Sequence, residues 1–173
     1  EFVMDNVVGT CNILNFARTQ KLEKFVYFST DEVFGPAPHG IDYDEYARYN
    51  STNPYSASKA GGEELAVAYH NTYKIPIVVT HTMNVFGERQ HPEKYIPMCI
   101  KKIRDGQTIT VHSDPSKTIP GSRHYIHARD VADALLFLLK QDTNSIVVDG
   151  VKCPKFNIVG KQEINNLELA QLI

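Results

Sequence analysis

The chain has 173 residues, 42% hydrophobic and 22% charged, a balance that excludes a disordered or fibrous polymer and allows one sizeable core. A formal net charge of −2 and a pI near 6.4 give no electrostatic case for nucleic acid or an anionic membrane surface, which leaves small polar partners. Cys11, Cys99 and Cys153 lack metal spacing, VADALLFLL is too short to cross a bilayer, and the first residues lack a signal-peptide pattern; a cytoplasmic protein with ordinary thiols and no metal is expected.

Apolar residues at helical spacing from about Met4 to Arg18 (Val7, Val8, Cys11, Ile13, Leu14, Ala17) predict a first helix. Lys24 to Ser29 reads as a short buried strand. A loop rich in Pro, Gly, Asp and Tyr covers Gly35 to Asn53. A helix is predicted from Pro54 to Tyr73, with proline in its first turn. IPIVVTH (75–81) is the next strand, and Tyr95 to Arg104 a helix stopped by Asp105-Gly106. TITVH (108–112) is predicted as a strand, followed by the loop SDPSKTIPGS and then RHYIH. Asp130 stands where an N-cap belongs ahead of VADALLFLLK, and KFNIVG then NNLELAQLI give a last strand and helix. No repeat or low-complexity tract interrupts the series. Helix alternating with apolar strand predicts an α/β fold with a mostly parallel sheet, whose ligands sit beyond the carboxyl ends of the strands.

The segment FVYFSTDEVFG (25–35) then becomes informative. A buried strand running into two carboxylates is costly inside a core. At a strand's carboxyl end, Thr30, Asp31 and Glu32 instead stand at the rim of a cleft. Some twenty residues on, NPYSASKAGGEEL places Tyr55 and Lys59 four apart at the start of a helix, on one face. Such pairs are common on exposed helices and alone say little. An ammonium beside a phenol favours the phenolate, so a pKa that starts near ~10 is expected to fall and Tyr55 to act as a base. Near a strand-end Thr-Asp-Glu the pair gains weight.

NVVGTCNIL, FVYFSTDEVFG, NPYSASKAGGEEL, NVFGERQHPEKYIP and SRHYIHARDVADAL fall in the order seen in extended short-chain dehydrogenase/reductases acting on nucleotide sugars. The chain most resembles their NAD-dependent nucleoside-diphosphate-glucose 4,6-dehydratases, over nearly its whole length. The resemblance implies a Rossmann-like, doubly wound sheet, partial here because the N-terminal glycine-rich βαβ unit is lacking, with part of a small C-terminal substrate-binding region. On that basis residues 1–83 would carry the later part of the NAD-binding domain with the catalytic residues. Residues 84–173 would mix substrate-binding segments with the remaining Rossmann elements. The chain is thus expected to be an internal piece of a longer enzyme, inactive alone.

The resemblance also implies roles. Tyr55 would take the proton of the sugar 4-hydroxyl, Thr30 would hydrogen-bond the 4-oxygen, Glu32 would take the C5 proton, and Asp31 would protonate the departing 6-hydroxyl. NAD would be held by Ser29, Tyr55 and Lys59. Asn84, Lys94 and Arg123 match positions that bind the substrate's diphosphate and sugar, and His112 a border of the nucleobase. Asn6 matches an asparagine found near the active site, although a helix cap explains it equally well. Three departures surround the substrate positions: His81 in place of an arginine, Glu88 in place of a proline, and the long SDPSKTIPGSR loop. STDEV favours the dehydratase over the alternatives, which are an epimerase or decarboxylase using the same Tyr55 and Lys59, or a non-catalytic sensor of NAD or nucleotide sugars. A homodimer is expected, paired through apolar residues of the first helix (Val8, Ile13, Leu14, Ala17) and the second (Leu65, Ala66, Ala68, Tyr69).

Overall fold

The computed structural model describes residues 1–38, 40–143 and 153–173, and divides into two compact units. The first comprises Glu1–Thr82 with Ala134–Ile158, and the second Met83–Asp133 with Val159–Ile173.

The first unit is built on a parallel three-stranded sheet in the order β1 (Phe25–Thr30), β2 (Ile77–Thr82), β6 (Lys155–Ile158). Phe25 pairs with Ile77 and Thr30 with Thr82, while Val79 pairs with Lys155 and Thr82 with Ile158. The central strand has the uninterrupted apolar run Ile77-Val78-Val79 and is buried on both faces, as a parallel strand between layers must be. Two helices pack on it. A π-helical turn (Met4–Val8) runs into α1 (Gly9–Ala17), and α2 spans Pro54–Tyr73. Asn53 caps α2 by accepting the Ser56 amide in a reciprocal capping box, with proline at the first helical position. Leu14, Ala17, Tyr27, Ala66, Ile75, Ile77, Val79 and Cys153 form the core between helices and sheet.

The contact between the two helices depends on Gly62. A Cβ there would stand 2.3 Å from the Asn6 carbonyl oxygen and 2.4 Å from the Tyr27 hydroxyl, so only glycine lets the N-terminal helix approach α2 this closely. Two expectations change here. Asn6 is no helix cap: it lies inside the π turn and its amide donates to Ser58 Oγ at 2.9 Å. Leu14, Ala17 and Ala66 are core residues of this unit, so the outward apolar surface consists of others, among them Val3, Met4, Ile13 and Phe16.

In the second unit β3 (Val85–Phe86) pairs in parallel with β5 (Ile126–His127), and β4 (Ser122–His124) pairs antiparallel with β7 (Glu163–Asn165). The helices α3 (Tyr95–Arg104) and α5 (Asn166–Leu172) belong to it, and α4 spans Ala128–Lys140. TITVH does not form the strand its alternation predicts: its pairing is confined to its last residue, where the His112 carbonyl accepts the Gly121 amide beside a bridge from Ser113 to Pro120. RHYIH is two strands in different sheets, separated at Tyr125, whose carbonyl lies against Gly160. Helix α4 starts two residues before the expected cap. His127 Nδ1 accepts the Arg129 amide at 3.2 Å, which leaves Asp130 in the first turn. No helix among the described residues is long and apolar enough to cross a membrane.

Candidate active site

The carboxyl end of β1 carries the first group of candidates. Ser29 and Thr30 are buried at the end of the strand, and Asp31–Phe34 form a 3₁₀ turn directly after it. Thr30 Oγ1 accepts the Glu32 amide and donates to Asp31 Oδ1, both at 3.3 Å, so the strand's last side chain organises the carboxylate turn. The turn closes at Gly35, whose φ of 71° favours glycine and whose missing Cβ makes room for the Asn50 carbonyl.

The second group comes from the start of α2. Asn53 uses its oxygen to cap that helix and its Nδ2 to donate to Glu32 Oε2 at 3.2 Å, tying the carboxylate to the helix that holds Tyr55. Ser58 accepts from Asn6 at 2.9 Å and donates to the Tyr55 carbonyl at 2.7 Å, which anchors the same turn from the other side. Asn53 and Ser58 drew no functional reading from sequence. Their signal was present only as capping and small-residue positions.

Electrostatics reverse one expectation. The Tyr55 phenol is pushed above its ordinary value, first by burial and then by the charges of Glu32 and Asp31. Lys59 does not offset this. Its Nζ donates to the Phe28 carbonyl and lies 5.0 Å over the Tyr27 ring, and burial holds the ammonium below the usual lysine value. Helical spacing put Tyr55 and Lys59 on one face, but the sheet beneath supplies Lys59 with another acceptor. The phenol therefore gives up its proton reluctantly.

In the second unit Asn84 offers its carbonyl to the Ile126 amide at 3.3 Å, and Lys94 is the exposed residue preceding α3. His112 is exposed and accepts the Gly121 amide through its carbonyl at 3.3 Å, while Arg123 on β4 donates to the Ser122 carbonyl at 2.7 Å. Among the described residues, no hydrogen bond or ion pair joins these four side chains to one another. Glu88 pairs instead with Arg129 and with His127 at 3.5 Å.

The turn after β1 thus brings Asp31 and Glu32 close enough to Tyr55 for their charges to act on its phenol. A model described as NAD dependent epimerase/dehydratase family matches residues 1–149. The chain belongs to that family. It is 36% identical to a dTDP-glucose 4,6-dehydratase of Streptomyces niveus, over 99% of this chain and 47% of that protein. A crystal structure of dTDP-glucose 4,6-dehydratase from Bacillus anthracis in complex with NAD superposes with a TM-score of 0.85 at 30% identity, covering 98% of this chain and 51% of that one. A UDP-glucuronic acid 4-epimerase from Bacillus cereus, in complex with UDP-glucuronic acid and NAD, gives 0.82 at 25% identity over 96% and 49%. The chain spans about half the length of the relatives it matches. The family's Rossmann-like, mostly parallel sheet is the one seen in the first unit.

The family's nicotinamide cofactor suits the residues present. At the carboxyl end of β1 stand a half-buried ammonium, Lys59, that donates to the Phe28 backbone carbonyl, and the buried Ser29. An ammonium held this way can donate to ribose hydroxyls without losing its place.

Proposed function

We propose that the full-length protein dehydrates a nucleoside-diphosphate glucose to the 4-keto-6-deoxy sugar with NAD as cofactor. The observation that carries this reading is the pair Asp31 and Glu32 on the turn after β1, next to Tyr55: an elimination needs a base and an acid together, whereas oxidation at C4 needs Tyr55 alone. When bound, NAD would supply the hydride acceptor needed at C4 and the hydride donor needed at C6.

Tyr55 accepts the 4-hydroxyl proton, and Thr30 hydrogen-bonds the 4-oxygen. The 4-ketone makes the C5 hydrogen acidic, so Glu32 can remove it while Asp31 protonates the 6-hydroxyl, which departs as water, and Glu32 then returns its proton to C5 as C6 is reduced. Lys59 and Ser29 orient the nicotinamide ribose. Asn84, Lys94 and Arg123 bind the diphosphate and sugar, the planar guanidinium suiting phosphate oxygens, and His112 borders the base. The assay is product analysis of the full-length protein with NAD and a panel of nucleoside-diphosphate glucoses. A 4-keto-6-deoxy product is expected; a C4 epimer as sole product would assign the protein to the epimerases.

A cytoplasmic homodimer completes this reading. Its support is three free thiols and an N-terminal helix with Ile13 58% and Phe16 66% exposed. Replacing both by glutamate should halve the mass of the full-length protein in light scattering. An unchanged mass, or a monomeric parent, removes this surface as the dimer contact.

A further inference from the structure

Beneath the site lies a buried charge cluster that the proposed chemistry does not use. Glu63 on α2 is fully buried. Its carboxylate receives His81 Nε2 from β2 at 3.1 Å, Lys155 Nζ from β6 at 2.9 Å and the Tyr49 hydroxyl from the loop before α2. Lys155 also donates to the Tyr49 oxygen at 2.6 Å and lies 5.0 Å over its ring. Asn157 donates Nδ2 to the Tyr43 carbonyl at 3.2 Å, which turns its oxygen toward His81 Nδ1 at 3.1 Å. Both ring nitrogens of His81 therefore face acceptors.

Burying such a group of charges adds little stability over an apolar core of the same volume, but it defines one geometry. That geometry leads back to the site. The loop from Tyr43 to Asn53 is pinned to β6 by Tyr43 and by Glu45, whose carboxylate accepts the Asn157 amide at 3.1 Å, and to α2 by Tyr49. The next residue, Asn50, donates its amide to the Val33 carbonyl at 2.9 Å, and Ser51 reaches the same oxygen at 3.5 Å. Asn53 then holds Glu32. The contacts of Asn50, Ser51 and Asn53 end on the 31–34 turn.

We propose that the Glu63–His81–Lys155 cluster is a positioning device for the turn carrying Asp31 and Glu32, acting through the hydroxyl of Tyr49. The part concerning turnover rests on the acid and base roles proposed above. None of the three cluster residues needs to meet substrate. They set where the loop begins its return, and Asn50, Ser51 and Asn53 transmit that placement to the two carboxylates.

Tyr49→Phe in the full-length protein is the test, because it removes only the hydroxyl and keeps the ring 5.6 Å from Phe34. Amide hydrogen exchange at residues 31–35 should rise about tenfold or more, with exchange at 77–81 unchanged. In the same variant kcat should fall about tenfold with KM within about twofold, since binding groups stay in place while the reacting carboxylates wander. Unchanged exchange at 31–35, or an equal rise at 77–81, overturns the proposal, the latter by making Tyr49 merely structural. Faster exchange confined to the turn with unchanged kcat also overturns it. If the parent protein forms no 4-keto-6-deoxy product, the reading of function fails by itself, and the exchange measurement still decides whether the cluster holds the turn.

Discussion

Glu32→Gln in the full-length protein is expected to lower formation of the 4-keto-6-deoxy product about 10²–10⁴-fold, the range a positioned general base supplies. The amide keeps the volume and can still pair with Asn53, so the turn should stand, but it cannot accept the C5 proton. Oxidation at C4, read as cofactor absorbance in a single turnover, should survive. It should also move to lower pH. Burial is the first cause of the raised Tyr55 phenol, and the charge of Glu32 is the next, so removing that charge brings the phenol down. Tyr55→Phe should abolish both steps. Normal product formation by Glu32→Gln would give the base to another residue, and an unshifted oxidation profile would separate Glu32 from Tyr55 electrostatically.

Acid is expected to destabilise the first unit through Glu63. Burial alone would raise its carboxyl, but the hydrogen bond and charge of His81 and the charge of Lys155 outweigh it and bring the group down to about 2. The unfolded chain titrates near the ordinary value of ~4.3. A depressed folded value means that the stabilisation is complete above that ordinary value and is lost as pH falls toward about 2. The loss is on the order of a few kcal/mol. Urea melts of the parent between neutral pH and pH ~3 should follow this curve, whereas Glu63→Gln should start about 3–5 kcal/mol lower at neutral pH, because the buried Lys155 ammonium loses its carboxylate, and vary less with pH. Equal acid sensitivity in parent and variant would place the proton uptake on other carboxylates.

Much of the secondary structure was legible before any coordinates because its signals are local. Helix α2 spans Pro54–Tyr73 as read, since Asn53, Pro54 and Ser56 specify its start within four residues. Helix α3 ends at Arg104 because Asp105 and Gly106, with φ of 65° at the glycine, cannot continue it. The apolar runs of β1 and β2 predicted buried parallel strands, and the STDEV segment predicted a strand end, which the structure places at Thr30 with Asp31 and Glu32 on the turn that follows.

Only the tertiary structure decided the rest. A strand exists by pairing, so the alternation in TITVH could not make one where pairing is confined to its last residue, and RHYIH could be divided between two sheets. The effect of Lys59 on Tyr55 was read from helical spacing, yet a pKa depends on every charge and all the desolvation around a group. The Phe28 carbonyl that takes the ammonium and the carboxylates that raise the phenol arrive from β1 and the turn after it. Glu63, His81 and Lys155 lie on α2, β2 and β6 with no motif to join them. Their association follows from the order of strands in the sheet, because a charge buried there must find its partners across space rather than along the chain.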